Sequence, residues 1–366
     1  MALKLLFSAA FDTQLPVGIA QYIRRLTPEL ARLCEMTILS PDAEIFSDVC
    51  QTVRLSSITR RRDAKVFWSI ARLRHYCTSG YDVLLSATPA VPLGVRIPRI
   101  AIVHDITPLA MHRLHGSREK AAFLLGLQTL RQADCIMADS NHTRIELLRR
   151  LRQLDPGRVS VAYPGPGIEP AVKDEPEFAK QLAPFVLYVG GHALHKNLSR
   201  LVSAFAQLRR TADLKLVIVG GGGSHLQGRT STRARLLNIA DRVVLLDSLT
   251  DGQLSALYSR CRAFAYPSLY EGFGLPVLEA MSLAAPVACS RASSIPEVAG
   301  DAVVYFDPMS VEDIRRKLQL LLDDRDLARR LAARGLVRSD QFSWERTART
   351  IHDRAAVLAA AFGHRH

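Results

Sequence analysis

Short apolar runs alternating with helical stretches set the strongest constraint on what this chain folds into. In the first half the runs fall at 3–8, 36–40, 82–86, 100–103, 135–139 and 159–162. In the second half they fall at 185–189, 214–219, 243–246, 263–266, 287–290 and 303–306. Near-continuous apolar runs mark strands buried on both faces, and such strands belong to parallel sheets covered by helices. Between the two sets stands Tyr163-Pro-Gly-Pro-Gly-Ile-Glu-Pro, followed by a charged stretch at 173–180. So many turn-formers together read as a linker. The pattern predicts an α/β chain of two doubly wound parallel-sheet domains, over 1–170 and 180–345. A length of 366 residues is enough for two such cores. Ligands of open parallel sheets bind at the carboxyl ends of strands. Functional residues are therefore expected in loops just after the runs, facing a cleft between the two sheets.

The formal net charge of +13 is spread through the chain. Residues 1–170 hold 22 Lys and Arg against 15 Asp and Glu, and the remainder 26 against 20. A nucleic-acid binder concentrates its charge on one face and adds stacking aromatics; here aromatics are only 7% of residues. The excess suits a diphosphate ligand or an acidic lipid surface. Val66, Ile70 and Leu73 share one face of a basic stretch at 60–74, which reads as a core-facing helix with a solvated basic side. The alternative is an amphipathic helix in peripheral contact with an anionic membrane. Six cysteines lie far apart without a C-x-x-C pair, which argues against zinc and disulfides and for a reducing compartment. The opening Met1-Ala-Leu-Lys-Leu-Leu-Phe-Ser reads as a buried strand rather than a leader, and no apolar run reaches the ~18 residues of a membrane helix.

The most informative stretch is Ser268-Leu-Tyr-Glu-Gly-Phe-Gly-Leu-Pro-Val-Leu-Glu-Ala-Met. Gly272 and Gly274 permit positive φ and close approach of a ligand to the backbone. Pro276 suits a helix start, so the amides of Phe273, Gly274 and Leu275 would face an anion at a positive helix terminus. Glu271 and Glu279 accept hydrogen bonds from hydroxyls. Amides for phosphate beside carboxylates for hydroxyls fit a nucleotide sugar. A second stretch, Tyr188-Val-Gly-Gly-His-Ala-Leu-His-Lys-Asn-Leu, comes after a run and opens a helix with apolar positions at 198, 201, 202, 205 and 208. Asn197 reads as its N-cap, which places Lys196 where its charge and free amides hold a diphosphate.

The first stretch resembles the E-x7-E region of retaining glycosyltransferases of family 4, whose GT-B fold pairs two Rossmann-like domains across a cleft. The run from Ala280 to Ala302 also resembles that family, with Ala285 in place of its usual glycine. The resemblance implies that Glu271 contacts the donor sugar and Glu279 the ribose. In the second stretch it implies phosphate contacts at Gly191, His195 and Lys196, with His195 standing where the family has Arg. Ala101-Ile-Val-His-Asp-Ile-Thr-Pro-Leu resembles the family's His-Asp-x-x-Pro-Leu form, which places His104 at the reacting sugar and Asp105 either orienting it or on the acceptor. Gly18 is what remains of the paired glycines that open the first helix, and Leu249 falls where the nucleobase rests. A C-terminal helix at 347–366 is expected to return to the first domain.

The same resemblance implies a retaining transfer of a sugar, with mannose from GDP-mannose leading and UDP-sugars second. The acceptor would be a lipid-linked or oligosaccharide hydroxyl in bacterial surface-polysaccharide assembly at the inner face of the cytoplasmic membrane. His104, Glu271 and Lys196 would carry catalysis, with no metal, no other cofactor and no nucleic-acid partner. An epimerase or hydrolase of nucleotide sugars, or a catalytically silent nucleotide-sugar-binding subunit, are the alternatives. Two other motifs do not carry function. The glycines at 220–223 do not complete G-x-G-x-x-G, and Asp324-Arg-Asp326 sits in a charged turn before a helix rather than at a metal.

Overall fold

The computed structural model describes residues 2–9, 18–55, 70–78, 80–111, 117–168, 177–209, 213–221, 224–247 and 249–363. The turn at Pro16-Val17, the basic residues 60–69, residues 173–176 of the charged stretch and Gly222–Gly223 lie outside them. The chain divides into two compact units, residues 1–165 with 343–366, and residues 166–342.

The first unit is built on a seven-stranded sheet, β1 (Lys4–Ser8), β2 (Glu35–Ser40), β3 (Gln51–Arg54), β4 (Val83–Ser86), β5 (Arg99–Val103), β6 (Cys135–Ala138) and β7 (Val159–Val161). Its order is β3-β2-β1-β4-β5-β6-β7, and every pairing is parallel. The second unit repeats the plan with six strands: β8 (Phe185–Val189), β9 (Lys215–Val219), β10 (Val243–Leu246), β11 (Ala263–Tyr266), β12 (Val287–Ser290) and β13 (Val304–Phe306). There the order is β10-β9-β8-β11-β12-β13, again all parallel. Both are Rossmann-like doubly wound sheets. Central strands such as β4, β6, β11 and β12 are buried at every position, which is why the apolar runs reveal them. Strand β3 is the exception that the runs miss. Gln51, Thr52, Val53 and Arg54 sit on the sheet edge, half-buried or exposed, so no core requirement makes them apolar.

Helices cover both sheets by ordinary means. The Gly18–Ala31 helix buries Ala20, Tyr22, Ile23, Leu26 and Leu30 on one face, and the Val311–Asp323 helix buries Ile314, Leu318 and Leu321, both at helical spacing. Ser310 caps the latter by accepting from the Asp313 amide at 3.1 Å. Asp324 caps the Arg325–Ser339 helix through the Leu327 amide at 2.8 Å while Asp326 pairs with Arg329, so both carboxylates of the Asp-x-Asp turn have structural partners. No described helix is long and apolar enough to cross a membrane.

The last helix, Trp344–Gly363, belongs to the first unit. The Trp344 ring meets Tyr22 edge-on at 5.0 Å, and Thr347 Oγ1 donates to the Tyr163 carbonyl. Chain exit and chain return thus meet at Gly165, where a Cβ would stand 2.5 Å from the Trp344 nitrogen and 2.7 Å from its ring. Backbone on backbone cannot yield as a flexible side chain does. Gly165→Ala is therefore expected to cost about 1–3 kcal/mol of stability by overpacking, read as a lowered midpoint in urea denaturation.

Candidate functional site

In the second unit the chemistry gathers at the carboxyl ends of β8 and β11, neighbouring strands whose connections leave in opposite directions. After β8 comes a turn of 3-10 helix, Leu194–Lys196, then Asn197 in the left-handed region at φ 60°, then the Leu198–Ala206 helix. Asn tolerates that conformation. Asn197 stands at the N-cap as the sequence suggests, but its side chain does not cap the helix. Its Nδ2 donates to the carbonyls of Pro267 at 3.0 Å and Pro308 at 2.7 Å, so the residue clamps three loops instead. The clamp sets the position of Lys196.

Lys196 Nζ donates to Glu271 Oε1 at 2.7 Å and to the Tyr266 hydroxyl at 3.2 Å, and Tyr266 donates to the same Oε1 at 2.8 Å. Both charged side chains are mostly buried. Burial pushes the Glu271 carboxyl up, but the Lys196 ammonium and the hydrogen bonds outweigh it and hold the group below its ordinary value. The backbone around Glu271 is pinned as well. Its amide donates to Ser293 Oγ at 2.8 Å, and Ser294 Oγ donates to its carbonyl at 3.0 Å and to that of Phe273 at 2.9 Å. Gly274 stands at φ 103° as the N-cap of the Leu275–Ser282 helix, a conformation that requires glycine. With Pro276 next in line, the amides of Gly274 and Leu275 have no acceptor within the helix, as expected of an anion-binding terminus. Gly272 is not in the left-handed region, so its place in the sequence does not rest on positive φ. Phe273 turns its ring into the core, edge-on to Phe342 at 5.7 Å.

Glu279 is buried in the second turn of that helix. It accepts from the Tyr258 hydroxyl at 2.9 Å. Phe264, Tyr266 and Tyr188 stack in succession at ring separations of 5.9 and 6.0 Å, and Tyr258 lies tilted against Phe264 at 5.3 Å. Each of the three hydroxyls leaves this fully buried ladder for a site group: Glu279, Glu271 and, at 3.0 Å from Tyr188, the Gly191 carbonyl. These tyrosines do not stand out in the sequence, because each lies within an apolar run or helix. One signal does mark them, since a tyrosine inside a two-sided buried strand needs a polar partner for its hydroxyl. His195 contributes its carbonyl, which accepts from the Leu269 amide at 2.7 Å. Leu249 packs against the core just before a capping box in which Thr250 and Gln253 satisfy each other's amides at 3.2 and 3.1 Å.

In the first unit the register of β5 on β6 pairs Val103 with Ala138. The next residues of each strand, His104 and Asp139, consequently stand side by side, with Nδ1 2.7 Å from Oδ2. His104 Nε2 faces the Ala87 carbonyl, after β4, at 3.2 Å. Asp105 does not orient the imidazole. It accepts from the Thr107 amide at 2.7 Å and opens the short helix beyond it. Asp139 takes the orienting position, and only the strand register, not proximity in sequence, reveals it. Gly18 is the exposed first residue of its helix. Among the described residues no group of three or more His, Cys, Asp or Glu side chains is arranged to hold a metal ion.

Residues 16–166 match the model of glycosyltransferase family 4, and residues 172–337 that of glycosyl transferases group 1. HepE of Anabaena, solved in complex with UDP and glucose, superposes with a TM-score of 0.78 over 97% of this chain and 100% of its own at 16% identity. O-antigen chain mannosyltransferase B of Escherichia coli is 38% identical over 175 residues, 46% of this chain and 45% of that protein. The serotype-specific mannosyltransferase WbdA of Escherichia coli is 31% identical over 266 residues, 68% of this chain and 32% of that protein. The chain spans less than half the length of these two relatives. Two Rossmann-like units matched by these models define the GT-B class of glycosyltransferase. The first unit carries the family 4 match and the second the group 1 match, each over less than half of the chain.

The buried geometry leads to expected outcomes for two side-chain pairs. Lys196→Met strands the Glu271 carboxylate and is expected to cost about 3–5 kcal/mol, most of it recovered in the Lys196→Met/Glu271→Gln double variant when both are denatured in urea. Since Glu271 is held below its ordinary value, its contribution is complete above the ordinary carboxyl range and is lost as pH falls through the folded value. The stability gap between wild type and Glu271→Gln should therefore narrow on acidification. Separately, Tyr258→Phe removes the hydroxyl from Glu279 and is expected to cost about 1.5–3 kcal/mol, measured as a lowered denaturation midpoint.

Proposed function

We propose that this chain moves mannose from GDP-mannose to a hydroxyl of a lipid-linked or oligosaccharide acceptor in surface-polysaccharide assembly, with retention at the anomeric carbon. The observation that carries this reading is the buried Lys196–Glu271 pair, set three residues ahead of the free amides of Gly274 and Leu275. A cation and a helix terminus attract a diphosphate, and a carboxylate between them takes sugar hydroxyls. The bond from the anomeric carbon to the diphosphate breaks and its electron pair leaves on the diphosphate; the acceptor oxygen bonds the anomeric carbon on the same face, and its proton passes to the departing diphosphate. Lys196 and the two amides stabilise the charge that grows on the departing group, the kind of fixed electrostatic arrangement that contributes most to many enzymes. Glu271 positions the sugar and Glu279 the ribose, with Gly191, His195 and Leu249 along the nucleotide. His104 acts at the sugar, Gly18 at the diphosphate and Asp105 on the acceptor side. No metal is required in this scheme, because lysine and amides supply the positive potential.

Mannose leads because both Escherichia coli relatives are mannosyltransferases by name; the complex of HepE with UDP and glucose keeps UDP-glucose as the second donor to try. Such an enzyme would work at the inner face of the cytoplasmic membrane, where its acceptor and donor meet.

Incubation of the purified chain with GDP-mannose and with UDP-sugars, with and without a membrane extract, tests the reading. Nucleoside diphosphate release that requires the extract is the expected result. Release without acceptor points to a hydrolase, and binding without turnover to a silent subunit. Lys196→Ala and Glu271→Ala are each expected to lower transfer by about 100-fold or more; full activity in both would remove the assignment.

A further inference from the structure

Asp139 is a buried carboxylate with no structural duty of its own. Ser140, not Asp139, caps the Asn141–Arg150 helix, accepting from the Thr143 amide at 3.0 Å. Asp139 Oδ1 has no hydrogen-bond partner among the described residues, and Oδ2 is committed to His104. Removing a carboxylate from water is costly unless a partner offsets it, and His104 is the partner in place. The imidazole is constrained on a third side by Tyr22, whose ring meets it edge-on at 4.7 Å and is backed by Trp344.

The two contacts of the ring fix its protons. The Ala87 carbonyl only accepts, so Nε2 carries a hydrogen. Nδ1 faces a carboxylate oxygen at 2.7 Å, so a proton also lies on that axis. A neutral imidazole protonated at Nδ1 would set the Nε2 lone pair against the Ala87 oxygen, and one protonated at Nε2 would set the Nδ1 lone pair against an ionised Asp139. The Nε2 contact, at 3.2 Å, is at the long end for such a bond. That N–H is available to be shared with a ligand oxygen.

We propose that Asp139 is a positioning residue for glycosyl transfer, holding His104 in one plane with hydrogens on both ring nitrogens so that Nε2 donates to an oxygen of the bound sugar. This rests on the reading that His104 acts at the sugar. Burial pushes the His104 imidazole down, but Asp139, its hydrogen bond, Asp105 and the Ala87 carbonyl together raise it above the ordinary histidine value. Burial also raises the Asp139 carboxyl despite His104. Both directions favour a proton held between Asp139 and Nδ1 while Nε2 keeps its own hydrogen. Among the described residues, the titratable groups facing the ring are Asp139 after β6, Asp105 on its own loop and Tyr22 from the Gly18–Ala31 helix; Tyr22 stays neutral, since burial and Asp139 raise its hydroxyl well above the ordinary range.

Histidine-selective nitrogen-15 NMR on the full chain tests the hold without reference to activity. His104 of the wild type is expected to titrate above free histidine, and in Asp139→Asn to fall by about one pH unit or more. Transfer assays test the use. Because the protonated ring is the working form, activity falls as pH rises through its pKa. The alkaline limb of kcat should move down by about one unit in Asp139→Asn, with KM for the nucleotide sugar within about twofold. Asp139→Glu should restore much of the profile. A wild-type His104 that titrates at or below free histidine overturns the proposal, and that measurement holds even where Asp139→Asn fails to fold. So does an Asp139→Asn variant whose alkaline limb stays in place. Full activity in His104→Ala, with the NMR shift intact, instead removes the reading of His104 at the sugar while leaving the hold itself standing.

Discussion

Everything functional in the second unit depends on one topological constraint. In the order β10-β9-β8-β11-β12-β13 the chain leaves β8 toward β9 and leaves β11 toward β12, so the loops after these two adjacent strands diverge and leave a gap between them. The Lys196–Glu271 pair closes that gap, with one partner from each loop. Beneath it, Tyr188 on β8 and Tyr266 on β11 stack at 6.0 Å and fill the space that a divergent pair of loops would otherwise leave wet. The ion pair lies on top of an aromatic floor. The low dielectric of that buried floor strengthens the attraction between the charges and makes either charge costly alone.

The first unit uses the same sheet rule differently. Here three consecutive parallel strands, β4, β5 and β6, each deliver one group at the carboxyl end: the Ala87 carbonyl, the His104 ring and the Asp139 carboxylate. Parallel register keeps these positions level, so a histidine receives a partner at each nitrogen without any residue near it in sequence being involved. A loop could present the same three groups, but not with their spacing fixed by backbone hydrogen bonds on both sides of β5.

This difference explains how far the sequence could be read. The strands were legible wherever burial on both faces demanded unbroken apolar runs, and β3 was not, because Gln51–Arg54 carries no such demand. Glu271, Gly274 and Lys196 were legible because local geometry explains them: a glycine in a conformation others avoid, a proline at a helix start, a charge beside it. Asp139 and the three tyrosines were not. Asp139 acquires its meaning from a residue 35 positions away, and buried tyrosines count as apolar in any periodicity. Asn197 was legible in its place at the N-cap but not in what its side chain does there. An asparagine before a helix is normally a cap, yet its amide finds two carbonyls from other loops that local pattern cannot foresee.

The two clusters also differ in how they answer a ligand. Lys196 and Glu271 satisfy each other, so an anion approaching the Gly274–Leu275 amides competes with Glu271 for the ammonium, while a sugar hydroxyl competes with the ammonium for the carboxylate. On the function proposed above, a nucleotide sugar would offer both at once and exchange one internal ion pair for two charge-assisted contacts, whereas free phosphate or free sugar would leave one partner stranded in a low-dielectric position. The buried pair thereby favours ligands that carry an anion and hydroxyls at the right separation over ligands that carry either alone. Specificity of this kind is a matter of what is left unpaired, and it comes from burial rather than from any additional contact.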